Sequence, residues 1–94
     1  EKYVERAINE FMALKNLSIK EIKYKLLSKG VSTRILDEYI EKNTEELEEY
    51  EQKSANNIAL KKSVNMEETE IKQYLMKKGY REENIRETLE KLEE

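Results

Sequence analysis

The sequence repeats itself at an offset of 49 residues, and this repetition constrains the fold more than any other feature. Residues 21–42 align with residues 70–91, and identical residues recur along the alignment. The chain has two glycines, Gly30 and Gly79, and they occupy matching positions. A period of this length is typical of helical repeat proteins, in which neighbouring units stack because neither buries a sufficient core alone.

Apolar residues recur at helical spacing throughout, with no proline and no sustained alternation of apolar and polar residues. We therefore predict an all-α protein with six helices in two tandem three-helix repeats. The predicted repeats are residues 1–43 and 44–94, forming an elongated array in which helices cross near right angles. The first helix is expected over 2–16 and the fourth over 44–63.

Local signals mark the expected helix ends. Ser18 with Glu21 forms a capping box for the second helix, and the two glycines stop the second and fifth helices. Either Ser32 or Thr33 can cap the third helix, and Asn65 with Glu68 is the predicted cap of the fifth.

Composition argues against catalysis. The chain has neither cysteine nor histidine, so thiolate chemistry and the commonest general base and metal ligand are missing. We predict no enzyme activity, no catalytic residue, no metal, no cofactor and no small-molecule substrate. No apolar run approaches the roughly 20 residues that span a bilayer, so we expect no membrane partner and a cytoplasmic location.

Acidic residues are concentrated at the start of the fourth predicted helix. Carboxylates do acid–base work or hold divalent ions when they converge in a pocket. Here they lie on nearly every face of the helix, so we interpret them as a solvated acidic surface. The residues are Glu45, Glu46, Glu48, Glu49 and Glu51.

Basic residues recur in the second and fifth predicted helices. Although the net charge is −3, these helices would form a discontinuous basic stripe that suits an acidic protein groove or a phosphate backbone. Lysines at helix C-termini also complement the helix dipole without any ligand, and that interpretation stays open. The candidate binding residues are Lys20, Lys23, Lys25, Lys29, Lys61, Lys62, Lys72, Lys77, Lys78 and Arg81.

Two motifs carry a family resemblance. The segment Ile22-Lys-Tyr-Lys-Leu-Leu-Ser-Lys-Gly30-Val31 resembles the second repeat of the RecX family, and Ile71-Lys-Gln-Tyr-Leu-Met-Lys-Lys-Gly79-Tyr80 resembles the third. Family members have three such repeats, so the resemblance implies that this chain is a fragment covering the last two. A glycine common before the second helix is absent here, and Lys25 replaces a common acidic residue.

The resemblance implies a function. RecX-like proteins bind along the RecA filament on single-stranded DNA and usually inhibit it, so the expected partner is the RecA filament, with single-stranded DNA as a further possible contact. Inhibition would be steric and would need no active site. Two other hypotheses stay open: a helical DNA-binding module that acts without RecA, and a structural adaptor with no link to nucleic acid.

Overall fold

The computed structural model describes residues 2–93, and within that range it contains six α-helices and no strand. The helices are α1 (Lys2–Leu14), α2 (Ile19–Ser28), α3 (Thr33–Lys42), α4 (Thr44–Lys62), α5 (Glu68–Lys78) and α6 (Glu82–Leu92). The prediction of a six-helix, all-α fold is confirmed. The molecule is elongated, with extents of 40 × 23 × 19 Å.

The start of α2 follows its sequence signal. Glu21 N–H donates to Ser18 Oγ at 3.1 Å, and Ser18 N–H donates to Glu21 Oε1 at 2.9 Å. This reciprocal pair satisfies two amides at the helix N-terminus, which have no partners within the helix. The first helix is shorter than the predicted 2–16 and ends at Leu14, because Lys15 adopts a positive φ of 51°.

Both glycines end their helices in the left-handed region, as predicted. Gly30 has a φ of 93° and Gly79 a φ of 89°. After each glycine the backbone turns back on the helix: Val31 N–H donates to the Leu26 carbonyl and Tyr80 N–H to the Leu75 carbonyl, each at 3.1 Å. These bonds satisfy carbonyls left open at the helix C-terminus.

Two other predicted helix ends are settled by hydrogen bonds. Ser32, rather than Thr33, caps α3 and accepts from Ile35 N–H at 3.2 Å. The predicted cap of α5 at Asn65 is wrong, because Asn65 N–H donates to the Lys62 carbonyl and so belongs to the turn that ends α4. Glu67 occupies the N-cap position of α5. Helix α4 ends at Lys62, one residue before the predicted end.

The fold has two apolar cores, and α4 contributes to both. The first is formed by Val4, Ile8, Ile22, Leu26, Leu36, Leu47 and Tyr50. The second is formed by Ala55, Ile58, Ala59, Ile71, Leu75, Tyr80 and Ile85. The predicted division between residues 43 and 44 therefore lies at the start of α4. The first half of α4 packs in the core of the first repeat, and its second half packs in the core of the second repeat.

Candidate protein-interaction surface

The two basic helices meet end to end. Ser18, which caps the N-terminus of α2, donates a 2.6 Å hydrogen bond from its Oγ to the carbonyl of Lys78 at the C-terminus of α5. A helix C-terminus carries partial negative charge and a helix N-terminus partial positive charge, so this approach is favourable. Lys78 Nζ lies 3.1 Å from Glu21 Oε2 across the same junction. The equivalent helices of the two repeats are therefore held in a defined relationship.

A buried carboxylate lies behind this junction. Glu51 is 0% exposed and accepts hydrogen bonds from Ile19 N–H at 3.0 Å, Arg81 N–H at 3.1 Å and Asn84 Nδ2 at 2.7 Å. The prediction that Glu51 belongs to a solvated acidic surface is wrong. Its charge lies at the N-termini of α2 and α6, where a carboxylate is stabilised by the amides left free there.

Two tyrosines form further polar contacts at this junction, and Ser54 of α4 donates from its hydroxyl to the Leu17 carbonyl at 3.2 Å. Tyr50 donates from its hydroxyl to the Leu17 carbonyl at 2.6 Å, and the hydroxyls of Tyr80 and Ser54 lie 2.6 Å apart. Burial raises the pKa of both phenols above its ordinary value. Tyr80 is buried and fixes the α5–α6 connection against α4.

The predicted binding residues of α2 differ in how free they are. Lys20, Lys25 and Lys29 are exposed, whereas Lys23 is partly buried and its Nζ lies 2.7 Å from Asp37 Oδ1. The aliphatic stem of Lys20 lies against Gly79, and Lys29 Nζ lies 5.5 Å from the centroid of the Phe11 ring in α1. Lys25 is exposed and takes part in neither kind of contact.

The basic residues of α5 and its following turn are similarly divided. Lys72 and Lys77 are exposed, while Lys78 is committed to the ion pair with Glu21. Arg81 pairs with Glu48 of α4. Such partly exposed ion pairs contribute little to stability, but they orient the side chains.

One cleft gathers three of the predicted lysines. Lys61, Lys62 and Lys78 line a cleft of about 180 Å³ between α4, α5 and the α1–α2 connection, with Tyr74 as its aromatic wall. Lys62 Nζ lies 4.9 Å and Lys78 Nζ 5.5 Å from the centroid of the Tyr74 ring, within the range of a cation–π contact. Asn57, which also lines the cleft, donates to the Lys15 carbonyl at 3.2 Å. Because Lys78 is paired with Glu21, Lys61 and Lys62 supply most of the positive charge of this lysine cleft, which suits an anionic group.

The structure therefore joins some of the predicted residues and separates others. At the α2–α5 junction the stem of Lys20 lies against Gly79, next to Lys78, and Lys61 and Lys62 lie with Lys78 in the lysine cleft. That these residues bind a partner stays a prediction. Among residues 2–93, no three acidic side chains are placed to share a metal ion, and none of the helices in that range has the length and apolar character of a bilayer-spanning segment.

Sequence reasoning missed the burial of Glu51, although the sequence contained a signal for it. Its position falls between Leu47 and Ala55 on the buried stripe of α4, which the apolar pattern already outlined. A charged residue inside an apolar stripe indicates a buried carboxylate with specific partners.

Comparison with protein-family models, with curated proteins and with solved structures found no significant match to the chain.

Proposed function

We propose that this chain is a non-catalytic regulatory module that binds along the RecA filament on single-stranded DNA and inhibits it. The proposal starts from the resemblance of the Gly30 and Gly79 segments to RecX repeats. The structural observation that carries it furthest is the end-to-end junction of α2 and α5 at Ser18 and Lys78. Because the junction holds equivalent basic helices together, lysines from both repeats are presented on one elongated body.

Rigidity matters for such a function. A filament repeats its subunits at fixed spacing. A protein that bridges neighbouring subunits therefore binds more tightly when its contact residues are already held at that spacing before binding. The polar contacts of Glu51, Tyr50 and Ser54 link the two repeats of this 40 Å molecule. Binding in the filament groove would block an incoming duplex and the movements that accompany ATP hydrolysis. The proposed place of action is the cytoplasm, where the filament forms.

Exposed lysines would supply attraction to an acidic groove, mainly by accelerating the encounter. Lys25 and Lys77 are suited to this role because they are exposed and lie one on each basic helix. Lys23, Lys78 and Arg81 have intramolecular acidic partners, so their contribution would be smaller.

A second candidate is direct binding of single-stranded DNA. The observation in its favour is the lysine cleft, in which cations surround the Tyr74 ring. Aromatic rings and cations together are the usual elements of single-strand recognition. The net charge of −3 counts against DNA binding as the main activity, because nucleic-acid binders usually carry a basic excess.

The test uses RecA ATPase activity on single-stranded DNA at several salt concentrations. The variant Lys25→Glu/Lys77→Glu should raise the half-inhibitory concentration about tenfold at low salt and less at high salt, because screening weakens the lost attraction. The matched control is Lys42→Glu/Lys91→Glu, which makes the same change of charge at exposed, repeat-equivalent positions outside the basic helices. Circular dichroism confirms folding of both variants.

The outcomes separate the hypotheses. If the folded Lys25/Lys77 variant inhibits as well as the parent at every salt concentration, the basic helices are not the interaction surface. If the parent leaves RecA activity unchanged, the proposed function is rejected. Tight, salt-sensitive binding to labelled single-stranded DNA without RecA, lost in Lys61→Gln/Lys62→Gln, would instead establish the second candidate.

A further inference from the structure

An open groove runs between α5 and α6 on the side away from the lysine cleft. Its volume is about 550 Å³, and its apolar floor includes Met76, Ile85 and Leu89. Met76 is 59% exposed, whereas the neighbouring residue Leu75 faces the second core and is buried. A groove of this size with an apolar floor is suited to a ligand or a partner side chain.

The first repeat contains the equivalent groove, and there it is filled. At the offset of 49 residues, Ile85 and Leu89 correspond to Leu36 and Ile40. Leu47 from the first half of α4 is 3% exposed and packs with these residues around a void of only about 10 Å³. The molecule thus uses this type of groove to receive an amphipathic helix.

Charge distinguishes the open groove from the filled one. Lys23 of the first repeat pairs with Asp37, but their equivalents are Lys72 and Arg86, two cations that cannot pair with each other. The acidic side chains of the open groove outnumber these two cations and are Glu68, Glu82, Glu90 and Glu93.

Three of these carboxylates lie at one end of the groove, where α5 begins and α6 finishes. Desolvation and the neighbouring carboxylate of Glu93 both raise the pKa of Glu68, as expected where negative charges crowd together. A cation from a partner would relieve this repulsion.

We propose that the α5–α6 groove binds an amphipathic helix of a partner protein, one with an apolar stripe flanked by basic residues. The apolar stripe would cover Met76, Ile85 and Leu89. In the first repeat, Leu47 packs with Leu36 and Ile40, the equivalents of Ile85 and Leu89. The basic flank would meet Glu68, Glu90 and Glu93. A second copy of this chain is disfavoured as the occupant, because two symmetric grooves would bring like carboxylates together. The groove shares only Lys72 with the predicted basic surface, so this inference does not depend on the proposed function.

The probe is a synthetic peptide derived from the helix that fills the first groove. It has the sequence of residues 43–60 with Glu45→Lys, Glu46→Lys, Glu48→Lys and Glu49→Lys, and carries a fluorophore. Its reference is the same peptide with the natural glutamates. Fluorescence anisotropy with the 94-residue chain should show that the basic peptide binds at least about tenfold more tightly than the acidic one. The preference should shrink as salt is added.

Matched variants locate the site. Met76→Lys puts a cation on the groove floor and should weaken binding of the basic peptide about tenfold or more. Leu60→Lys makes the same change at a side chain that is 66% exposed and outside the groove, so binding should stay within about twofold of the parent. Both residues are exposed, so neither change should unfold the chain.

Three results would overturn the proposal. The first is no binding of the basic peptide at millimolar concentration, and the second is equal weakening by Met76→Lys and Leu60→Lys. The third is a concentration-dependent dimer of the parent that Met76→Lys dissociates, since the occupant would then be a second copy. Equal affinity for the two peptides would reject the basic flank.

Discussion

The Asn84 side-chain amide donates a 2.7 Å hydrogen bond to the Glu51 carboxylate, and both residues are buried. The same carboxylate accepts from Ile19 N–H of the first repeat. A single side chain of α4 thereby joins α2 of one repeat to α6 of the other. Because hydrogen bonds are directional, this contact specifies how the repeats are oriented, which apolar packing alone does less strictly.

Replacing Glu51 should therefore be among the most damaging single changes. Glu51→Ala leaves the Ile19 and Arg81 amides and the Asn84 side chain without their acceptor in a buried site. We expect the free energy of unfolding to fall by about 3 kcal/mol, measured by urea denaturation.

The control for this prediction is Glu49→Ala. Glu49 lies on the same helix but is exposed, and its Oε1 lies 4.0 Å from Lys53 Nζ. Its replacement should change stability by no more than about 0.5 kcal/mol. Equal effects of the two substitutions would show that Glu51 has no special structural role.

The contrast between Glu51 and the helix ends shows what could be predicted from sequence. Gly30, Gly79 and the Ser18–Glu21 pair act within a few residues of themselves, so their roles follow from local chemistry. The hydrogen-bond partners of Glu51 include Ile19 and Asn84, which are 32 and 33 residues away in the chain. No local pattern specifies that the N-termini of α2 and α6 converge on one side chain.

The misassigned cap of α5 illustrates a different limit. Asn65 is a residue type that favours caps, and Glu67 is not. The repeat itself held the correct answer, because Glu67 and Glu70 lie 49 residues after Ser18 and Glu21. Glu67 N–H donates to Glu70 Oε1 at 3.0 Å, as Ser18 N–H does to Glu21. The offset was therefore a better guide than residue preference.

The lysine cleft could not have been located from sequence. Lys61 and Lys62 end α4, whereas Lys78 ends α5, and all three are explained equally well as complements to the helix dipoles. They share a cleft because α5 ends against the α1–α2 connection. That contact depends on how the repeats pack.

The two equivalent glycines should differ in their sensitivity to substitution. A Cβ at Gly30 would meet no atom within 4 Å, so Gly30→Ala should cost only the strain of its positive φ, about 1 kcal/mol. A Cβ at Gly79 would lie 2.9 Å from Lys20 Cδ, so Gly79→Ala should cost more. Urea denaturation of both variants measures the difference.

A double-mutant cycle identifies the cause. A Lys20→Ala background removes Cδ and Cγ but keeps Cβ at 3.1 Å, so the cost of Gly79→Ala should decrease part of the way toward that of Gly30→Ala. If that cost is the same in the parent and in the Lys20→Ala background, the Cγ and Cδ atoms of Lys20 do not restrict substitution of Gly79.

Alkaline pH should destabilise the protein through Tyr80. Burial raises the pKa of this phenol above its ordinary value of 10.0, so the folded state holds the proton that the unfolded state releases. The stabilisation is complete below about pH 10 and is lost as pH rises toward the folded pKa. Tyr80→Phe removes this titration, so its stability relative to the parent should improve above pH 10 by up to about 1.4 kcal/mol per pH unit.

The measurement is the free energy of unfolding of parent and variant between about pH 8 and about pH 11.5, a range that brackets the ordinary phenol pKa of about 10. At the lower end of that range the variant should be less stable by about 1 kcal/mol, because it lacks the hydrogen bond between Tyr80 and Ser54. Tyr24→Phe, which removes a hydroxyl from a side chain that is 74% exposed, should follow the parent curve. A constant difference between Tyr80→Phe and the parent at all pH values would contradict the prediction.

The shared helix α4 should make the two repeats unequal as separate fragments. All the buried apolar residues of the second core lie within 44–94, whereas the first core takes Leu47 and Tyr50 from beyond residue 43. We expect fragment 44–94 to be helical with a cooperative thermal transition, and fragment 1–43 to lack one, since a chain of that length without a complete core is rarely stable.

Extending the first fragment to 1–63 should restore cooperativity, and Leu47→Asp in that fragment should remove it again, because a buried carboxylate without partners is costly. Circular dichroism melts of the four peptides test this directly. A cooperative transition in 1–43 would mean that the first repeat does not need α4, and that its closure by the first helix of the second repeat is incidental to its stability.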